Sequence, residues 1–473
     1  MFARYTAIRY GRLPTIPGGN MSDVTMTTAA EPDGAPRIAV LDILRGVAIL
    51  GILFMNINDM GQSIYASFDD IRHLGWSQTD RIAWWLREVF ANGTARCMLE
   101  MLFGAGMVIL TDRVADKANG WVVMRRYYVR NLILFAFGLV HVFILLWPGD
   151  ILHTYGLAAL VAFLFRRLRP QWLIMIGLTL ALFQLGGGGY FGYYLTLQTR
   201  AQVAAIEAKV AAGTKPTAEE RKVLKDKAER DKKRAEARAK SHNDIAAEDK
   251  ARKGTFITWA HAQWGSFLDI ESQFLEILFV WEAASVMLIG AALYKLGILQ
   301  GRRSRRFYVW TALIAYAVGI TLRVIGASEQ MEFGNGPYTF WASYEFARQA
   351  MTLGHVALIN LLVSSAVGAR LLRPFVAAGR TALSIYIAQT LICLWVLYPP
   401  FMLGLYGKMT WGPLMVTAFL INAALLIGAN VWVRHFDIAP VEWAWRSLVE
   451  RRVLPWRKRA RVGPQVEGSP ALA

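Results

Sequence analysis

Stretches of about 20 consecutive apolar residues recur along this chain, and each is long enough to cross a hydrocarbon layer of about 30 Å. Inside such a layer every backbone N–H and C=O must be paired within the protein, which leaves helices or a closed barrel. The alternating segments of about ten residues that build a barrel are not seen. The expected fold is all-α: a polytopic membrane bundle of about ten transmembrane helices. Composition agrees, since 55% of the 473 residues are hydrophobic and the mean hydropathy is +0.33, against about 45–50% apolar in soluble domains.

The spans are expected at residues 38–60, 82–111, 128–147, 150–167, 171–195, 270–298, 307–327, 348–370, 381–404 and 413–434, the second broken near Asn92–Gly93. Residues 1–37 lack periodicity and the apolar core of a signal peptide, and read as a disordered cytoplasmic tail, with Met21 an alternative start. Residues 38–450 form the transmembrane domain, and 451–473 a basic cytoplasmic tail.

The formal charge of +18 points to topology rather than to nucleic acid. Basic residues gather in alternate connections: Arg113, Lys117, Arg125 and Arg126; Arg166, Arg167 and Arg169; Arg302, Arg303, Arg305 and Arg306; Arg370 and Arg373; and Arg451, Arg452, Arg457, Lys458, Arg459 and Arg461. The positive-inside rule makes that side the cytoplasm. Both termini are then cytoplasmic, with the lipid bilayer as the first partner and a homo-oligomer as an open option. Residues 198–255 hold 16 basic and 10 acidic residues yet fall on the outer side, and long loops cross regardless of charge. Their composition suits a charged extracytoplasmic helical hairpin broken near Gly213–Pro216, or a binder of an anionic envelope polymer.

Two cysteines, Cys97 and Cys393, exclude a disulfide framework. No metal or nucleotide motif stands in the right context, so no metal is expected.

Ionisable residues inside spans mark function by default. In the first span Asp42, Arg45, Asn56 and Asp59 share one stripe. Asp42 and Arg45 can pair, or Arg45 can hold a phosphate. Glu282 sits mid-span with Glu271 on the same face, either hydrogen-bonded structurally or handling protons or substrate. Arg96 and Glu100 are four apart and suit a structural pair. Arg380 and Ser384 share a face, while His355 and Asn360 are weaker candidates.

The stretch GLVHVFILLWPGDILHTYG (138–156) carries His141, Asp150, His153 and Tyr155 around a Trp-Pro-Gly break. Asp150 suits a helix N-cap. With straight helices, His141 lies about 9 Å below the apex. Tyr155 then stands at its level and Asp150 does not, unless the turn folds inward. His141 is either bonded to Tyr155 or a general base.

That stretch, together with LDILRGVAILGILFMNI, LFGAG, MLIGAALYKLGIL, GRTALSIYIAQTLI and PVEWAWRSL, resembles the bacterial membrane family known as domain of unknown function 418, YeiB-like, over about residues 38–450. Ala439 stands where the family usually has Gly, and the 198–255 loop is unusually charged. The first span also resembles that of transmembrane acyltransferases of the heparan-α-glucosaminide N-acetyltransferase type, through Leu41, Asp42, Arg45, Gly46 and Asn56. That resemblance implies an acyl-CoA donor on the cytosolic side and a small-molecule, glycan or lipid acceptor of the envelope. It also implies a His in the first outer loop, for which His73 is the counterpart at a different spacing. In this reading His141 is the base, Asn56 holds the acyl carbonyl, and Asp150 or Tyr155 orients the imidazole. Arg45 takes the donor phosphate, with Asp42, Glu282, Arg380 and His73 as further substrate contacts. A proton-coupled transporter or permease, or a non-catalytic envelope scaffold, remains the alternative.

Overall fold

The computed structural model describes residues 27–28, 37–115, 119–272, 275–334, 336 and 338–458. The expected tail 1–37 lies almost entirely outside these residues, as do Lys117, Arg459 and Arg461, and the side chains of Arg113 and Glu271 are outside the described set. In a small separate unit, residues 1–39, Thr27–Thr28 pairs antiparallel with Arg37–Ile38.

The rest is helical. α1 (Ala39–Gly61) leads through α2 (Ile64–Phe68) to α3 (Gln78–Leu86), a π-helical turn (Arg87–Ala91) and α4 (Thr94–Ala115). α5 (Gly120–Phe143) and α6 (Leu152–Phe163) form a hairpin. Next come α7 (Pro170–Gly177), α8 (Thr179–Phe183), a π-helical segment (Gln184–Tyr194) and α9 (Leu195–Ala211). The charged α10 (Ala218–Arg252) folds back along α9, and α11 (Phe256–Ser272) precedes α12 (Leu275–Lys295). α13 (Arg305–Met331), α14 (Thr339–Val363), α15 (Ala366–Arg380), α16 (Ala382–Thr390), a third π-helical segment (Leu391–Leu397), α17 (Trp411–His435) and α18 (Pro440–Glu450) complete the chain.

Among the described residues seven helical elements are long and apolar enough to cross a membrane, or eight if α15 and Ala382–Leu397, bent by 76°, count as one. The expected figure of about ten is larger for two reasons. α5 carries Arg125, Arg126 and Arg130, and α6 has only 12 residues. The expected break at Asn92–Gly93 is present: Gly93 takes φ +68°, where a side chain would be strained. The hairpin break falls between Ala211 and Ala218, as expected. The eighth expected span, 348–370, instead ends at Val363, with Ser365 capping α15.

Polarity is distributed as in a membrane bundle. α12 is buried from Glu282 to Leu293, whereas α13 and α17 expose Trp310, Ile314, Phe419 and Ile427. Without a hydrophobic force between helices in lipid, close backbone contact holds such a bundle. α4 and α12 meet this way: a Cβ on Gly104 would lie 1.8 Å from Met287 O, and one on Gly290 would lie 2.0 Å from Met101 O.

The connections separate into two ends. At one, Lys295 donates to the carbonyls of Arg166 and Leu168, and Arg126 pairs with Glu450. At the other, Arg252 donates to the carbonyls of Asp59, Met60 and Gln62, and Trp264 donates to that of Phe143. The basic residues around 166–169 fall at the first end and the charged hairpin at the second.

Candidate functional site

α5 stops at Phe143, and the chain then turns inward rather than outward. Leu146 takes φ +60°, Trp147 is buried, and the Trp147 N–H reaches back 3.2 Å to His141 O. The turn therefore lowers Asp150 to the level of His141. His141 Nδ1 lies 2.7 Å from Asp150 Oδ1, and its Nε2 lies 2.9 Å from Thr390 Oγ1. The second Asp150 oxygen accepts the His153 backbone N–H at 3.0 Å, as a helix cap does, and meets His153 Nδ1 at 2.8 Å. Tyr386 OH closes the group, 3.4 Å from Asp150 Oδ1, and accepts from Ile151 N. Gly138 makes the approach of α6 feasible, because a Cβ there would lie 2.2 Å from His153 N.

This overturns the expected His141–Tyr155 bond. The straight-helix register fails because residues 144–151 fold inward. The Tyr155 hydroxyl donates instead to Arg96 O at 3.1 Å.

The chemistry of the partners fixes the tautomer. An ionised carboxylate only accepts, so His141 presents Nδ1–H to Asp150. In a neutral imidazole Nε2 then accepts from the Thr390 hydroxyl. That is the protonation pattern of a general base held by a carboxylate. The side chains of His141 and Asp150 are both 0% exposed. His153 forms the edge of the group, its Nε2 3.4 Å from Glu276, whose other contact is Thr154 Oγ1 at 3.1 Å. Thr390 is followed directly by a π-helical segment, a distortion that recurs at functional sites.

A second polar group fills the space between α4, α12 and α14. Glu282 pairs with Arg96 and, at 2.6 Å, with Arg348. Arg348 also reaches Glu100 at 3.1 Å and Glu345 at 2.8 Å. The expected Arg96–Glu100 pair is present but looser, at 3.7 Å. Three carboxylates thus share two guanidiniums in a water-poor interior, where a single unpaired charge costs several kcal/mol. Beside this group Arg323 donates to Asn92 O at 2.7 Å, and Glu88 takes Asn92 Nδ2 at 2.6 Å.

The remaining expected residues lie apart. Asp42 and Arg45 pair at 3.0 Å at the start of α1, with Arg45 36% exposed. Arg380 reaches Asp437 O at 3.4 Å, and its neighbour Ser384 donates at 2.5 Å to Glu442, which also receives the Leu383 backbone N–H at 2.7 Å. Asn56 is half-buried on α1, next to Met55, whose carbonyl accepts from Arg87, and the hydrogen-bond partners of His141 are Asp150 and Thr390. His73 faces the hairpin, 2.9 Å from Asp249. His355 is a half-buried histidine whose two ring nitrogens are satisfied by Tyr316 OH and Phe90 O.

Thr390, Tyr386, Glu276, Arg348 and Glu345 are not singled out by sequence, and His153 is noted there only as part of the 138–156 stretch, with no role. Tyr386 and Thr390 stand in GRTALSIYIAQTLI and His153 in the 138–156 stretch, so the signal is the set of motifs that carry the family resemblance. Glu345 and Arg348 carry a weaker one, an i, i+3 charge pair in an otherwise apolar run. Among the described residues no group of three or more His, Cys, Asp and Glu is placed to hold a metal ion.

Residues 293–452 match the family described as protein of unknown function (DUF418). Along most of its length the chain is similar to two bacterial proteins. It is 26% identical to the uncharacterized protein YxaH of Bacillus subtilis (strain 168), covering 90% of this chain and 97% of the relative. It is 27% identical to the uncharacterized protein YeiB of Escherichia coli (strain K12), covering 89% and 98%. A third relative, an uncharacterized 39.9 kDa protein from the amylase 3′ region of Bacillus acidopullulyticus, is 22% identical over 89% of this chain.

Proposed function

Because the chain carries a DUF418 segment and is YeiB-like along most of its length, we propose that this multi-pass membrane protein transfers an acyl group. The donor is a cytosolic acyl-CoA, and the acceptor a hydroxyl or amine of a small molecule, glycan or lipid on the other face of a bacterial inner membrane. Both termini are cytoplasmic in this reading.

The observation that carries it is the His141 dyad. Nδ1 is locked by Asp150, and Nε2 is left with its lone pair toward a hydroxyl. An acceptor that takes the place of the Thr390 hydroxyl loses its proton to Nε2 as it attacks the thioester carbonyl. The imidazolium, stabilised by Asp150, then returns that proton to the leaving CoA thiolate. Gln389, next to Thr390, donates to Ile49 O at 3.3 Å, so the dyad stands near the middle of α1. Arg45 is four residues away, about 6 Å along the axis. In this reading the donor's phosphates meet Arg45 and its thioester reaches His141.

The test is purified protein given acyl-CoA and read by mass spectrometry for retained donor and for acylated product. Retention with turnover supports the reading, and neither with folded protein removes it.

A second reading, proton-coupled transport, draws on the Arg96–Glu100–Glu282–Glu345–Arg348 group, since buried ionisable clusters also mark proton paths. Substrate-driven proton uptake into proteoliposomes, lost in Glu100→Gln, is its test.

A further inference from the structure

The helical hairpin of α9 and α10 borders an open cleft of about 660 Å³ that neither reading uses. Its floor is apolar, with Phe191 and Leu195 at one end and the buried Val203 further along. Its walls carry Arg200, Lys227, Arg230 and Arg234 against Glu207 and Asp231, an excess of two positive charges. Lys227 and Glu207 bind each other at 2.6 Å. Arg230 and Arg234 are exposed and make no ion pair among the described residues.

Depth argues for what fills it. Pro170–Ala211 is one helical element long and apolar enough to cross a membrane, and only 17% of its apolar window is buried in the protein. Its flanks therefore meet lipid. Tyr190, Phe191 and Tyr194 form an exposed aromatic cluster on it, and such residues settle where acyl chains give way to headgroups. Arg200 lies six residues beyond Tyr194, about 9 Å along the axis. That sets its backbone just beyond a polar layer about 5–7 Å deep on each face, from where a long Arg side chain reaches back toward the membrane to the phosphates.

We propose that this cleft is a binding site for one anionic phospholipid. Its phosphate sits between Arg200, Arg230 and Arg234, and its chains run down the Phe191–Leu195 face into the bilayer. Two arginines supplied by a soluble helix to a lipid-facing one give selectivity for anionic over zwitterionic headgroups, at about five-fold per cation.

The full-length protein in detergent, titrated with dioleoylphosphatidylglycerol or dioleoylphosphatidylcholine and read by native mass spectrometry, tests this. The expected result is a preference for phosphatidylglycerol of about ten-fold or more. The double substitution Arg230→Gln/Arg234→Gln should abolish it, while Arg238→Gln, outside the cleft on the same helix, leaves it intact. Equal retention of the two lipids overturns the proposal. So does a preference that survives the double substitution, or one that Arg238→Gln lowers equally, which would be diffuse surface charge. Displacement by equimolar inorganic phosphate or by a soluble anionic polysaccharide would also overturn it, since those need no acyl chain.

Discussion

His141 Nδ1 and Asp150 Oδ1 stand 2.7 Å apart although a Trp-Pro-Gly break separates their helices. The same carboxylate caps α6 and binds His153. One residue therefore serves as cap and as partner to two imidazoles, and its substitution separates these roles.

Capping alone predicts that Asp150→Asn is mild, because Asn caps about as well as Asp. The structure predicts the opposite. An amide has one acceptor oxygen where two His Nδ1–H groups and a backbone N–H need acceptance. Its NH₂ also meets a donor. Both Asp150→Asn and Asp150→Ala should destabilise by about 1–3 kcal/mol for each donor left unpaired. Thermal unfolding in detergent checks this, and a near-wild-type midpoint for Asp150→Asn would return Asp150 to a simple cap.

Gly138→Ala places a methyl group against the His153 backbone. Overpacking of this kind costs about 1–3 kcal/mol, and here it also spreads α5 from α6. The expected outcome is a lower midpoint together with faster hydrogen exchange at residues 150–156. Gly106→Ala, where a Cβ meets nothing within 4 Å, should leave both unchanged.

Arg348 touches Glu100, Glu282 and Glu345. Arg348→Ala leaves buried carboxylates uncompensated, which costs about 3–5 kcal/mol. Arg348→Lys should recover only part, since a point charge cannot serve several carboxylates as a planar fork does. Adding Glu345→Gln to Arg348→Ala should restore some of the loss. Folded yield on size-exclusion chromatography reads all three, and equal yields for wild type and Arg348→Ala would show that water reaches the group.

The clasp between the hairpin and the bundle has its own acid limit. Burial pushes the Asp249 carboxyl up, but hydrogen bonds from His73 and Tyr406 outweigh it, so its pKa falls below the ordinary value. A depressed carboxylate stabilises the folded state above its ordinary range, and that contribution is lost only as pH falls through the lower folded value. Proteolytic release of residues 245–253 should stay flat from neutral pH downward and rise only below roughly pH 4. Asp249→Asn should raise release at neutral pH and flatten the acid limb.

How far the sequence reaches is clear from these residues. The helices follow from apolar runs, and the hairpin from its Gly–Pro break. The Asn92–Gly93 break follows from the poor fit of Gly in a helix. The His141–Asp150 contact depends on a turn that folds inward, and Trp147, which buries itself there, reads equally well as an interfacial residue. The link from Glu282 to Arg348 depends on α12 and α14 both packing on α4, a relation among three distant segments that no local period encodes. Thr390 looks like any small polar residue in a span until α16 is set against α5.

The central claim is that His141 is the base of an acyl transfer and not a stitch between helices. The measurement is product formed per folded molecule from acyl-CoA, for wild type, His141→Ala and Thr390→Val, alongside thermal midpoints. The account predicts that His141→Ala abolishes transfer in protein that still folds, while Thr390→Val, which removes only the competing hydroxyl, retains it. Transfer that persists in His141→Ala, with only the midpoint lowered, would contradict the account and leave this group as internal bonding.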